Sequence, residues 1–191
     1  GNSASFAIFA EKVIIEINTN LSPAFEGLHD IYIPTYRPTR QAIPLTQVDE
    51  RIGTTAINID PSKIVGIVIN SEYHDSPSTV TEPDDETQGI ANHLIAFFEK
   101  EVAEGRLPKD LGPLQAGIGS IANAVLTGLK DSNFEDLVMY SEVLQDCTFE
   151  LIDAGKMKFA SGSSITLSEK YGEKVFNNLE AYKDKLVLRP Q

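Results

Sequence analysis

Residues 113–146 read PLQAGIGSIANAVLTGLKDSNFEDLVMYSEVLQD, and this succession restricts the fold more than any other stretch. A turn built on Gly117, Ile118 and Gly119 opens a short apolar helix, expected over about residues 120–129. A buried strand, residues 137–140, comes next, and a single carboxylate, Glu142, falls just past its carboxyl end. A turn, a helix and a strand without a polar face form the unit from which largely parallel sheets are built.

The same alternation runs through the rest of the chain. Residues 12–17 (KVIIEI) are β-branched and bounded by Asn18 and Asn20, a strand pattern. Residues 31–33 (IYI) form a short strand closed by Pro34, followed by an irregular, proline-containing connection. Residues 64–69 (IVGIVI) are a continuous apolar run, as expected of a strand buried on both faces. Residues 71–88 are polar, acidic and carry two prolines, and they read as a linker. A helix follows, with Ile90, Leu94, Phe97, Phe98 and Val102 on one face and Gly105 at its end. Further on come a short helix over 145–154, a strand over 156–160 and a tight polar loop over 161–164. Tyr171, Val175, Leu179 and Tyr182 share the apolar face of a last helix. The expected class is α/β, with mostly parallel strands flanked by helices.

Charge and composition narrow the function. The net charge is −12 and the pI about 4.6. Such a balance argues against nucleic-acid binding, which needs a basic face, and no apolar run is long enough to span a membrane. Cys147 is the single cysteine, which excludes an internal disulfide and fits a reducing compartment; it reads as a small core residue. His29, His74 and His93 are scattered, so no metal site is expected. Arg37, Arg40 and Arg51 read as solvated surface, with an anion or partner contact as the sharper alternative. The start on Gly1, without a methionine or a signal-like run, reads as a fragment or processed product.

The chemistry concentrates in the opening stretch. Gly117 and Gly119 let the backbone turn tightly and let another group approach it. The helix beyond points unpaired N–H groups and its positive dipole end at the same place. A phosphate, a carboxylate or a developing oxyanion suits that turn, but tight packing without a ligand explains a two-glycine bend equally well. It is not a Walker loop, since no Gly-Lys-Ser/Thr follows, and a dinucleotide fingerprint meets Ala122 where its third glycine belongs. Glu142 lies where ligands bind in parallel sheets, at a strand's carboxyl end. A helix cap or a surface ion pair is its ordinary alternative. As a nucleophile it needs no base, being ionised at neutral pH, but attack on a thioester needs N–H donors for the oxyanion. No G-x-S-x-G elbow is present.

LQAGIGSIANAVLTGL followed by MYSEVLQD resembles the signature of the acetyl-CoA hydrolase/transferase family, the class I CoA-transferases. RIGTTAINIDPSKIVGIV and IANHLIAFFEKEVAEGRLP are similar to family segments as well, so the resemblance covers residues 12–165. It implies that Glu142 is the catalytic glutamate, forming an acyl-glutamyl anhydride and then a glutamyl-CoA thioester. It implies that Gly117, Ile118, Gly119, Ser120 and Ile121 contact CoA, with the Ile118 amide as one oxyanion donor. It implies CoA, carried as acyl-CoA, as the cofactor, with no metal. The partners implied are acyl-CoA and a small carboxylate, with no nucleic acid and no membrane, and the full-length parent is a homodimer. The location implied is cytoplasmic, or mitochondrial in a eukaryote. Family members are longer at both ends. Residues 1–70 would then close a first domain, 71–88 link, and 89–191 open a second, glutamate-bearing domain. Such a piece is expected to be inactive unless completed by the segments it lacks. The implied reaction is CoA transfer between an acyl-CoA and a carboxylate. Acetyl-CoA hydrolysis, or a non-catalytic CoA- or anion-binding role, is the alternative, and a nicotinamide dinucleotide binder is a more distant one.

Overall fold

The computed structural model describes residues 2–35, 38–72, 76–79 and 83–189. In chain order the elements are α1 (Asn2–Phe9), β1 (Val13–Asn18), β2 (Ile64–Asn70), α2 (Asp85–Ala103), β3 (Pro113–Leu114) and α3 (Ser120–Asp131). They continue as β4 (Leu137–Tyr140), β5 (Val143–Leu144), α4 (Asp146–Asp153), β6 (Met157–Gly162), β7 (Ser164–Ile165), α5 (Glu169–Phe176) and β8 (Leu186–Leu188). The named strands pair in parallel throughout, in the orders β1-β2, β3-β4-β6-β8 and β5-β7. The α/β class with mostly parallel strands is therefore the observed one.

The four-stranded sheet carries the core. Leu137 and Met139 of β4, Met157 and Ala160 of β6 and all of β8 are buried. α3 covers them with Ala124, Leu126 and Leu129, and α4 with Phe149, Leu151 and Ile152. Phe149 is fully buried and meets the Tyr182 ring edge-on, centroids 5.4 Å apart. Phe149→Ala is expected to lower unfolding stability by about 3–5 kcal/mol, measured as a shift of the urea midpoint at unchanged slope. Tyr182 also donates from its hydroxyl to Asp153 at 2.9 Å. Burial first, then that carboxylate, pushes the phenol up to about 12.

The helices are set by local chemistry. Asp84 caps α2 by accepting from the Thr87 N–H at 2.8 Å, and Gly105, at φ +73°, follows the helix end. Because of that cap, residues 85–88 are helical and do not belong to an extended connection. The last helix departs from its expected continuity. It breaks after Phe176 at Asn177 and Asn178, and residues 179–185 form a separate 3-10 helix. Asparagine has low helix propensity, and two in succession favour a helix end at that point. α1 covers residues that the sequence pattern left without an element.

Two expectations about strands are corrected. Residues 64–69 pair with β1 in register Ile15↔Ile67 and Ile17↔Ile69, but they are not buried on both faces. Ile67 is 61% exposed and Ile69 72%, because the sheet they form has two strands among the described residues. Residues 31–33 do not form a strand of their own. Ile31 makes one antiparallel bridge to Thr54, and the two residues just before it join the larger sheet instead. The Leu188 N–H donates to the Leu28 carbonyl at 2.9 Å and the Asp30 N–H to the Leu188 carbonyl at 2.8 Å. Residues 28–30 therefore run beside β8, at the edge of the core.

Candidate active site

The site is built at the carboxyl ends of β3, β4 and β6. Parallel pairing aligns Leu114 with Met139 and Tyr140 with Ser161, so all three strands emerge on one edge of the sheet. Ser141, buried at 1% exposure, is the tie. Its hydroxyl donates to the Ala116 carbonyl at 2.9 Å and accepts from the Ala116 N–H at 3.4 Å. Gly117 and Glu142 are the next residues along the two chains. One buried serine thus brings the glycine turn and the glutamate to the same edge.

Of the two glycines of the turn, only Gly119 takes the positive φ expected; at Gly117 an added Cβ would meet nothing within 4 Å. Gly119 stands at φ +143°, a conformation that side-chain-bearing residues rarely adopt, in the position before α3. Its carbonyl accepts the first helical hydrogen bond, from the Asn123 N–H at 3.0 Å. No side chain caps the helix, so the amides of its first turn face outward. Ile118 is 73% exposed. Behind the turn lies a cleft of about 540 Å³, closed by Phe98 of α2 and by Leu114, Val125 and Leu129. Residues 117–121 form its rim, but Glu142 does not line it.

Glu142 is exposed, and its main chain is held firmly. Its carbonyl accepts from the Ser163 N–H at 2.7 Å, the Ser163 hydroxyl at 2.8 Å and the Ser164 N–H at 3.3 Å. The Ser141 N–H donates to the Ser161 carbonyl at 2.9 Å. The polar loop expected over 161–164 is shorter than that, since Ser161 and Gly162 extend β6 and Ser164 opens β7. These serines fix the backbone around the glutamate; the sequence points to them only as hydroxyls without a nearby histidine, unsuited to a serine hydrolase, and not as supports of Glu142. For that role their signal was only the position of SGSS after a strand.

Other singled-out residues go elsewhere. Arg51 donates to the His29 carbonyl at 2.9 Å, Arg40 is exposed, and Arg37 and His74 lie outside the described residues. His29 is held below the usual histidine range by burial and then by Arg51. Among the described residues, no group of three or more histidine, cysteine, aspartate or glutamate side chains is placed to hold a metal. None of the described helices is long and apolar enough to cross a membrane. Cys147 is buried in α4, its thiol 3.7 Å from Asn123 Oδ1, and burial pushes it up to about 11. The folded chain is expected to resist a thiol reagent such as DTNB at pH 8 and to react once on unfolding. Fast reaction of the folded chain would contradict that burial.

Comparison with known proteins agrees with this architecture. Residues 1–69 match the model of the acetyl-CoA hydrolase/transferase N-terminal domain. The acetyl-CoA hydrolase of Schizosaccharomyces pombe is 46% identical over 191 residues, which is all of this chain and 36% of that protein. The acetyl-CoA hydrolase of Neurospora crassa is 48% identical over 182 residues, 95% of this chain and 34% of its own length. The Saccharomyces cerevisiae acetyl-CoA hydrolase is 44% identical over the whole chain. Among solved structures, RipA from Yersinia pestis superposes on 98% of this chain with a TM-score of 0.60 at 20% identity, using 35% of its own length. That likeness is one of fold. The chain spans 36% of the length of its first curated relatives.

Proposed function

The chain belongs to the acetyl-CoA hydrolase/transferase family, and from that premise we propose that it carries the nucleophile-bearing part of a site that cleaves acetyl-CoA. The carboxylate of Glu142 attacks the thioester carbonyl, the C–S bond breaks, and CoA leaves as the thiolate. The resulting acyl-glutamyl anhydride then reacts with one of two acceptors. Returned thiolate displaces acetate and leaves a glutamyl-CoA thioester, which a small carboxylate or water resolves; water alone gives acetate and restores Glu142. The observation that supports the reading is the Ser141–Ala116 contact, which ties the backbone leading to Glu142 to the backbone leading to the uncapped start of α3. Amide donors are worth about 3–4 kcal/mol each at a developing oxyanion, with the Ile118 amide as the first assigned.

Hydrolysis is favoured over transfer on two grounds. The curated relatives are named acetyl-CoA hydrolases, and Glu142 is open to water. An anhydride that stays exposed in the whole protein would meet solvent before a second carboxylate. The organisation that goes with this reading has the first domain end near residue 70 and the glutamate-bearing one begin with α2 at Asp85, with residues 28–30 seated beside β8 of the second. Coenzyme A, with residues 117–121 as its contacts, is the ligand, and a homodimer is the assembly assigned to the longer protein. Repeated turnover is expected to need residues of the longer relatives, whereas the first acylation uses groups present here.

Amide chemical shifts test the ligand assignment. Acetyl-CoA added to the isotopically labelled chain is expected to move the resonances of Gly117, Ile118, Gly119, Ser120 and Ile121 together. Desulfo-CoA is expected to move the same set without chemistry. Shifts confined to other elements, or none at saturating ligand, would overturn the assignment. Product analysis separates the acceptors: free acetate without an added acid supports hydrolysis, and a new acyl-CoA formed only with a carboxylate supports transfer.

A further inference from the structure

Beneath the candidate site lies a buried cation that the proposed chemistry does not use. Arg189 follows the apolar residues of β8 and is 5% exposed. Its backbone N–H donates to the Gly162 carbonyl at 2.7 Å and its Nε to Ser161 Oγ at 2.9 Å. The rest of the guanidinium faces the N-terminal part of the chain. Nη1 pairs with Asp30, and Nη2 donates to the Val48 carbonyl at 3.0 Å and to the Glu50 carbonyl. One planar fork thus joins residues 30, 48 and 50 to the end of β6. An ammonium group presents its donors from a single nitrogen and cannot span that set.

The gripped segment is the one that holds the glutamate. Ser161, which accepts from Arg189 through its hydroxyl, accepts from the Ser141 N–H through its carbonyl at 2.9 Å. Gly162, held by the Arg189 backbone, leads directly to Ser163, whose N–H and hydroxyl both bind the Glu142 carbonyl. Resting on the reading of Glu142 as nucleophile, we propose that Arg189 is a positioning residue, acting through Ser161 and Ser163. It makes the placement of Glu142 depend on the docking of Asp30, Val48 and Glu50 against the sheet. A pair serving only stability would leave the local mobility of residues 163–164 unrelated to the Arg189 fork.

The test uses the full chain with Arg189→Lys, which keeps the charge and loses the fork, and Ser161→Ala, which removes one acceptor of the fork. Hydrogen exchange at the Ser163 and Ser164 amides reads the loop. The rate at which acetyl-CoA modifies Glu142, followed against acetyl-CoA concentration, reads the carboxylate. Both variants are expected to keep the native circular dichroism and the slow exchange of α3. Exchange at residues 163–164 is expected to rise about ten-fold. The maximal modification rate is expected to fall about ten-fold at unchanged half-saturating acetyl-CoA. A destabilised but otherwise native protein loses amplitude, not maximal rate, so this split marks positioning. Unchanged exchange and unchanged maximal rate in Ser161→Ala would overturn the proposal, and that variant decides alone if Arg189→Lys does not fold. A wild-type chain that is never modified removes the nucleophilic reading. The exchange arm then decides the coupling by itself: faster exchange upholds it, and unchanged exchange overturns it.

Discussion

Glu142→Ala is expected to abolish acetyl-CoA-dependent modification of the chain and to leave its unfolding midpoint unchanged. Both halves follow from the same placement. The side chain is exposed at the end of β4, so removing it strips no buried contact. The backbone bonds that fix the residue run through its carbonyl, from Ser163 and Ser164, and alanine keeps them. The two serines nearest the glutamate are committed, the buried Ser141 hydroxyl to the Ala116 carbonyl and the Ser163 hydroxyl to the Glu142 carbonyl. Loss of an essential nucleophile lowers rates on the order of 10⁴–10⁶-fold. Glu142→Gln should behave like alanine, because a neutral amide keeps the shape and lacks the attacking charge. Modification persisting at wild-type rate in either variant would place the chemistry elsewhere.

The second large effect concerns stability. Asp30→Ala is expected to destabilise the chain by about 3–5 kcal/mol, measured by urea or thermal unfolding. Asp30 and Arg189 are both buried, at 2% and 5% side-chain exposure. Removing the carboxylate leaves a guanidinium inside the fold with carbonyl and hydroxyl partners but no counter-charge. It also removes the acceptor of two further donors, the N–H groups of Gly53 at 2.6 Å and Ile52 at 3.1 Å. Residues 28–30 are therefore expected to lose their seat on β8 first, and Ile31 its bridge to Thr54, seen as early exchange of the Asp30 and Thr54 amides. A loss below about 1 kcal/mol would mean that water reaches Arg189 in the native state.

What the sequence made legible was local. The apolar helix after the GIG turn and the apolar run over 137–140 before Glu142 are found where their composition placed them. The α/β class follows from the order of those pieces. The burial of residues 64–69 was misjudged for a physical reason. An apolar strand is composed for what covers it, and composition does not say whether the cover is among the residues in hand. The last helix was extended through Asn177–Asn178 because its apolar spacing continues while its backbone does not. The Asp30–Arg189 pair was out of reach for a different reason. It joins positions 159 residues apart, and an aspartate after His29 looks like any surface acid until Leu28 is seen pairing with Leu188. A faint trace of it was present in the arginine placed directly after LVL, where a charged side chain must leave the core or find a partner within it. The serines around Glu142 belong to the same class, since their partners lie across strands.

The measurement that tests the account most directly is peptide mass mapping after long incubation with acetyl-CoA and reduction by borohydride. Borohydride converts a glutamyl thioester or anhydride to the alcohol and so leaves a permanent mark on the acylated side chain. The account predicts one marked residue, Glu142, in the wild-type chain, and none in Glu142→Ala. A mark on any other carboxylate, or release of CoA thiol with Glu142 unmarked at every time point, would contradict it.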